Sequence, residues 1–463
     1  MVIRLRTAAG RGLIAGTVLG SSMAMLDSSV VNVALPHIGA DLHASVGGLQ
    51  WTVNAYLLPL AALVLLGGAL GDRYGRRRVF LIGVAWFTAA SVVCGFAPDI
   101  AVLVAARALQ GVGSALLTPG SLALIQSSVA EDDRPAAIGL WAGLGGVAGA
   151  VAPLVGGYLV DTLSWRWIFF INVPLAVLTV AATMRYAPES RRDEAEPATF
   201  DLVGAVLGAL GLGFVTYSLV EALWPVGVAG AVLLVAFVWW ERRQPDPMMP
   251  TRLFHSVVFS TINGVTFLVY GALGGFILFL VLQLQQVAGY SALEAGAAVV
   301  PGTVLLLIGS ERAGELGNRV GARLPMAGGT AMAAAGALWL VPVGADASYW
   351  RDVFGPVVLL GAGMTLVVAP LTASVLAAAP NSLAGVASGI NNAVARSGSL
   401  LAVAALPLAG GLTGEAYGDP AAVEHAYRLA MFVCGGLYAV SAVLSWTLLP
   451  KGRPQADLSV DLA

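Results

Sequence analysis

The chain has 463 residues, of which 58% are hydrophobic and only 11% charged, with a formal net charge of -2. A soluble domain averages about 25% charged residues, so a mean hydropathy of +0.84 leaves too little polar surface for water-facing domains of this length. That excludes a cytosolic enzyme, a disordered hub and a secreted disulfide scaffold, and it leaves no basic field for nucleic acid. At about 1.5 Å per helical residue, crossing roughly 30 Å of hydrocarbon takes about 20 apolar residues. In chain order, such runs lie at 13–36, 48–70, 79–97, 99–124, 136–160, 168–186, 202–222, 226–240, 258–286, 295–311, 324–344, 353–378, 384–410 and 426–449. The expected fold class is an all-α polytopic membrane protein with 14 transmembrane helices. The first run is too long for a cleavable signal peptide and contains an acid, Asp27. Runs that are apolar all round exclude barrel alternation, and 57 glycines suit close contact between helices in lipid. Cys94 and Cys434 sit in separate apolar runs and His37, His43, His255 and His425 are scattered, so no disulfide framework and no metal site are expected.

Cytoplasmic loops collect positive charge, which gives an independent test of the span count. With the N-terminus cytoplasmic, 14 spans put nearly all arginines and the single lysine, Lys451, on one side. Only Arg166 and Arg351 fall outside, while Arg107, Arg396 and Arg428 lie in or beside spans. Both termini are therefore expected in the cytoplasm.

An internal repeat adds a second layer. The segments 68–78 and 314–323 share Gly-x-Leu-Gly-(Asp/Asn)-Arg-x-Gly-x-Arg, with Asp72 and Asn318 separated by 246 residues, or eight spans. Six-helix halves would repeat after six, so two helices are inserted. The expected organisation is a six-helix bundle over 1–186, a linker with two inserted helices over 187–252, a second bundle over 253–450 and a cytoplasmic tail over 451–463.

The loop segment 68–78, the first-span segment 26–36 and Arg107-x-x-Gln110-Gly111-x-Gly113 are three motifs of the first bundle. Gly149, Pro153, Gly156 and Gly157 follow in span five, and then the stretch 165–174. Together they resemble the major facilitator superfamily, specifically its fourteen-span drug:proton antiporter branch, over nearly the whole chain. Ala152 stands where the span-five motif usually has Gly. The resemblance implies a proton-coupled antiporter that exports amphipathic drugs or secondary metabolites across a bacterial cytoplasmic membrane by alternating access. It implies no cofactor beyond the proton gradient, and the expected partners are the lipid bilayer, a small amphipathic substrate and protons, with the protein a monomer. An uptake symporter, or a lipid or metabolite facilitator on the same scaffold, is the alternative. A membrane-embedded enzyme would need a catalytic cluster within the spans, and none is legible.

An intramembrane carboxylate is by default a functional candidate. Asp27 and Arg107 lie at similar depths in spans one and four, so they can pair, and the resemblance assigns both to proton coupling. A purely structural ion pair is the other reading. Asp72, Arg73, Arg76 and Arg77 form a cytoplasmic turn in which Asp72 can cap a helix end or pair with arginine, as a conformational latch. Gly149, Pro153, Gly156 and Gly157 are a hinge by resemblance and a close-packing stripe by composition. Candidates for substrate contact are Asn32, Trp51, Asn54, Tyr56, Gln110, Asn263, Tyr270, Gln283 and Gln286, where aromatics and amides could line a cavity. Asn54 stands where cation-preferring relatives can carry an acid, which weakens a preference for dications. Arg396 either pairs with an unidentified acid or snorkels to the cytoplasmic interface, and Glu221 and Glu311 are expected at interfaces.

Overall fold

A computed structural model of the chain describes residues 3–191, 201–245, 247–380, 383–414 and 416–452. The expected tail from 453 onward and the stretch 192–200 of the expected linker therefore lie outside the described residues. Among the described residues the chain is helical, and its β pairing is one isolated bridge between Ile3 and Val129. The helices are α1 Ala8–Asp41, α2 Val46–Tyr74, α3 Arg76–Gly95, α4 Ile100–Ser128, α5 Arg134–Thr162, α6 Trp167–Phe170, α7 Asn172–Tyr186, α8 Leu202–Glu221 and α9 Trp224–Glu241. They continue as α10 Val257–Leu282, α11 Ala292–Ala298, α12 Val300–Val320, α13 Arg323–Trp339, α14 Phe354–Ala377, α15 Ala384–Ala409 and α16 Pro420–Leu448.

Hydrocarbon offers no partner to a free amide, and six helix starts among the described residues are closed by the side chain of the N-cap residue. Thr7, Ser45, Asp99, Asp201 and Ser256 each accept from a backbone N–H three residues on, and Asp419 accepts from Ala421. Thirteen stretches among the described residues are long and apolar enough to cross a membrane. The expected span at 324–344 is α13, which stops at Trp339 with only 17 residues. Pro342 accounts for the early stop, because the residue before a proline is pushed out of the helical region.

The chain divides into two compact units, one holding 1–234 with 290–297 and the other 235–289 with 298–463. Within the first, α4 packs on α2 and α3, α1 packs on α5 and α7, and α8 lies against α2. Within the second, α14 packs on α12 and α13, and α10 packs on α15 and α16. The neighbour pattern thus repeats, as the loop motif does. Gly75 and Gly321 occupy matching places after α2 and α12, at φ +108° and +84°, where a β-carbon is strained. Each donates its N–H to a glycine carbonyl four residues back, Gly71 and Gly317, at 3.0 and 2.9 Å. Glycine is required at both positions by backbone geometry, so the motif is more than a taste for small residues in turns.

Gly111 and Gly113 explain how α4 becomes the centre of the first unit. A β-carbon on Gly111 would sit 2.4 Å from the Tyr56 carbonyl oxygen of α2, and one on Gly113 would sit 2.6 Å from the Phe87 nitrogen of α3. Both contacts are with backbone, which cannot swing aside. Gly111→Leu should therefore abolish monodisperse protein on size-exclusion chromatography. Gly139→Leu, at a position facing open space, should leave the unfolding free energy within about 0.5 kcal/mol of the parent. Equal behaviour of the two variants would rule out this packing.

Candidate functional site

The α4 segment that carries those glycines also carries Arg107 and Gln110. One turn apart, both side chains leave α4 on the face that meets α1 and α2, where Asp27 lies. Asp27 is 2% exposed and Arg107 1%. The guanidinium Nη1 of Arg107 donates to Asp27 Oδ2 in a close ion pair, and donates also to Gln110 Oε1 at 2.7 Å. Gln110 Nε2 in turn donates to Asp27 Oδ1 at 2.7 Å. Acid, base and amide therefore form a closed triangle in which each carboxylate oxygen has its own donor. Arg107 Nε donates to the Thr52 carbonyl at 3.0 Å, and its guanidinium lies 4.3 Å from the Tyr56 ring centroid. Tyr56 is fixed by its hydroxyl, which donates to the Ala24 carbonyl at 3.2 Å and shares a hydrogen bond with Ser114 at 2.9 Å. The Cys94 thiol closes the shell, 3.6 Å from Gln110 Oε1. A charge buried like this is tolerable only when matched by charge and hydrogen bonds together.

The remaining expected contacts separate. Tyr56 and Gln110 belong to the shell of the ion pair. Asn32 donates to the Ser28 carbonyl of its own helix, and Trp51 Nε1 donates to Glu221 at 2.9 Å, tying α8 to α2. Glu221 is exposed, as an interfacial acid should be, and is also a partner that the sequence did not disclose. Asn54 is fully buried with both amide atoms lacking a partner among the described residues. In the second unit Asn263 accepts from Asn391 at 3.2 Å, Gln283 donates to the Val343 carbonyl at 2.9 Å, and Tyr270 and Gln286 are half-buried.

In the loop motif the acid takes one of its two expected arrangements, a pair with arginine. Asp72 pairs with Arg76 at 2.8 Å across the turn. The cap on α3 is Glu189, whose two oxygens accept from the N–H groups of Arg77 and Arg78 at 3.0 and 3.2 Å. Arg77 also donates to the Ala187 carbonyl at 3.1 Å, so the stretch after α7 is clasped onto the start of α3. Arg73 lies beside the Tyr74 ring, 5.5 Å from its centroid.

On α5, Gly149 faces open space, whereas a β-carbon on Gly156 would meet Val30 of α1 at 2.6 Å. A β-carbon on Gly157 would sit 2.4 Å from the backbone of Leu293, and one on Gly296 would sit 2.4 Å from the Pro153 carbonyl. One turn further, Asp161 accepts from the N–H groups of Ala292 and Leu293 at 3.1 and 2.8 Å. Pro153, Gly157 and Asp161 thus form one seam against the segment 290–297, and Asp161 closes the exposed end of α11. Its spacing of four from Gly157 is the signal that the sequence offers.

These features define a polytopic helical membrane protein whose first unit is built around a buried acid–base triangle. A model of the Major Facilitator Superfamily matches residues 17–403. Multidrug resistance protein Stp of Mycobacterium tuberculosis is 37% identical over 408 residues, 84% of this chain and 74% of that one. Puromycin resistance protein pur8 of Streptomyces alboniger is 35% identical over 460 residues, 94% of this chain and 90% of that one. A bacterial homologue of the human lysosomal transporter Spinster, solved in an inward-facing and unoccupied conformation, matches with a TM-score of 0.67 at 16% identity, covering 95% and 97% of the two chains. The chain belongs to the Major Facilitator Superfamily.

Removing one partner of a buried pair strands the other. Asp27→Asn and Arg107→Gln should each lower stability by about 3–5 kcal/mol in detergent unfolding, while the double variant should cost less than their sum. Strict additivity would mean that the two side chains are uncoupled. Glu189→Ala should cost about 1 kcal/mol and speed hydrogen exchange at the Arg77 and Arg78 amides, and Asp72→Asn should leave those amides unchanged.

Proposed function

We propose that this protein is a proton-coupled exporter of amphipathic drugs or secondary metabolites in a bacterial inner membrane, with 14 spans and both termini cytoplasmic. The observation that carries the reading is the closed Asp27–Arg107–Gln110 triangle. Its carboxylate is sealed from lipid and held by two donors, one charged and one neutral. Protonation of Asp27 removes the charge that Arg107 balances. The guanidinium is then left to the Gln110 carbonyl, the Thr52 carbonyl and the Tyr56 ring face, a set that differs in strength from the ion pair. A change of one charge at the junction of α1, α2 and α4 therefore biases whichever conformation provides the better replacement partners. Export follows if cargo binding and protonation of this pair favour opposite conformations, which is the energetic content of antiport.

The names of the relatives support the cargo class. Besides Stp and pur8, a Streptomyces glaucescens relative at 34% identity, covering 84% of this chain, is a tetracenomycin C resistance and export protein. The turn between α2 and α3 supports alternating access through the Asp72–Arg76 pair and the Glu189 clasp, which together act as the latch. The α5 seam at Gly156, Gly157 and Asp161 supports a second closing surface, and Pro153 supplies the flexible point beside it.

The test is flux in inverted membrane vesicles energised with a proton gradient. Wild-type protein should concentrate an amphipathic dye or antibiotic from a panel, and the gradient should dissipate on adding that cargo. Asp27→Asn should fall to background when flux is normalised to the folded protein in the membrane. Wild-type flux in that variant would remove the pair from coupling.

A further inference from the structure

Arg396 falls at the centre of α15, twelve residues after Ala384 and thirteen before Ala409. At 1.5 Å per residue this is about 18 Å from either end, farther than an arginine side chain can reach to snorkel. No described residue makes an ion pair or a hydrogen bond with its guanidinium, whereas Arg319, Arg351 and Arg428 of the same unit each have an acid beside them. The helices α10, α14 and α15 carry no carboxylate at all, and Glu311 stands exposed on α12. An intramembrane cation left without a counter-charge is costly and marks a place where one is brought in.

The surroundings fit a ligand better than lipid. Ser388, Asn392, Arg396 and Ser399 recur at four, four and three residues, a polar stripe on one face of α15. A face turned to lipid would be apolar; this one is open at Asn392 and packs at Ser399 on Gly274 of α10. On α10, Tyr270 lies four residues from Thr266, which meets Asn391, and four from Gly274, which meets Ser399, so it shares the stretch of the α10–α15 seam that Arg396 occupies. Asn391, on the flank of the stripe, donates to Asn263 Oδ1 at 3.2 Å and to Thr266 Oγ1 at 2.8 Å, which fixes α15 against α10 beside the cation. A guanidinium with an amide and a phenol next to it is suited to an oxyanion, which it can hold through two parallel hydrogen bonds.

We infer that Arg396, with Tyr270 and Asn392, forms an anion-recognition subsite, so that the cargo carries an acidic group: a carboxylate, an ionised phenol or an enolate. The inference deepens the export reading and rests on it only for calling the ligand cargo, since binding can be measured without flux. Purified protein in nanodiscs would be titrated with dansylglycine and its methyl ester, and with two further acid–ester pairs on larger ring systems. At least one acid should bind about tenfold or more tightly than its ester. Arg396→Gln should level that difference, and Arg396→Lys should keep part of it. Melting temperature and size-exclusion profile report folding, and if Arg396→Gln fails to fold, Arg396→Lys with Tyr270→Phe decides by the same readout. The inference is overturned if no pair shows preference for the acid, if no probe binds, or if the variants at Arg396 retain the full preference. Acid preference without proton-driven flux would sink the export reading and leave the subsite. Flux of a neutral or cationic cargo without acid preference would do the reverse.

Discussion

A charge inside hydrocarbon has no water to hold it, and the architecture of this protein is organised by that constraint. The first unit meets it internally. Asp27 and Arg107 come from different helices, yet Gln110, Thr52 and Tyr56 gather around them: both carboxylate oxygens have a donor, Nε and Nη1 of the guanidinium have acceptors, and its face has a ring. A triangle of this kind needs helices that approach closely, because a polar cluster of this size tolerates little error in spacing. The glycines of α4 supply the approach: Gly111 brings the α2 backbone against α4 at Tyr56, the residue that lies under the guanidinium. Packing and electrostatics at this site are therefore a single design, and a change in one is felt in the other.

The same reasoning applies to backbone groups at helix ends. Glu189 and Asp161 each give both carboxylate oxygens to a pair of N–H groups, on α3 and on α11 respectively. A carboxylate spread over two amides of a helix start gains from the helix dipole and from two hydrogen bonds, without trapping a full ion pair. Bonds of this kind are individually modest and lie near exposed ends, which suits contacts that must form and break during a cycle. Asp72, by contrast, is engaged by Arg76 within its own turn. The loop's acid shapes the turn while the acid after α7 does the capping.

What could be read from the chain alone follows from the range of each interaction. Spans are legible because hydrophobicity is a sum over some twenty neighbouring residues. The loop repeat is legible because Gly75 and Gly321 answer to a local backbone angle. Asp27 and Arg107 are legible as a pair because opposite charges at one depth in lipid have few alternatives. Glu189 and Asp161 are not, since their partners are backbone amides 112 and 131 residues away, and any residue type except proline can supply an amide. Gln110 and Tyr56 look like cavity residues in the sequence because a polar or aromatic side chain in a span is expected to meet substrate. In the structure the nearby charge claims them first. The early end of α13 is visible in Pro342, but hydropathy summed over the run outweighs a single residue.

The two units share a pattern of helix neighbours but not a pattern of charge. In the first, ionised side chains sit on α1 and α4; the helices with the matching neighbours in the second, α10 and α14, carry none. The charge instead appears on α15, as a lone cation. If the repeat arose to make two similar scaffolds, they treat charge in two ways: the first matches a buried pair within the unit, and the second leaves a half-buried cation without an acid beside it. A transporter needs both kinds. A fully matched pair can store the effect of one proton without ligand, and an unmatched cation makes occupancy by an anion favourable without building a permanent partner that would have to be displaced. On this view competition between proton and cargo is not a contest for one carboxylate. It is carried by the conformations that each of them favours.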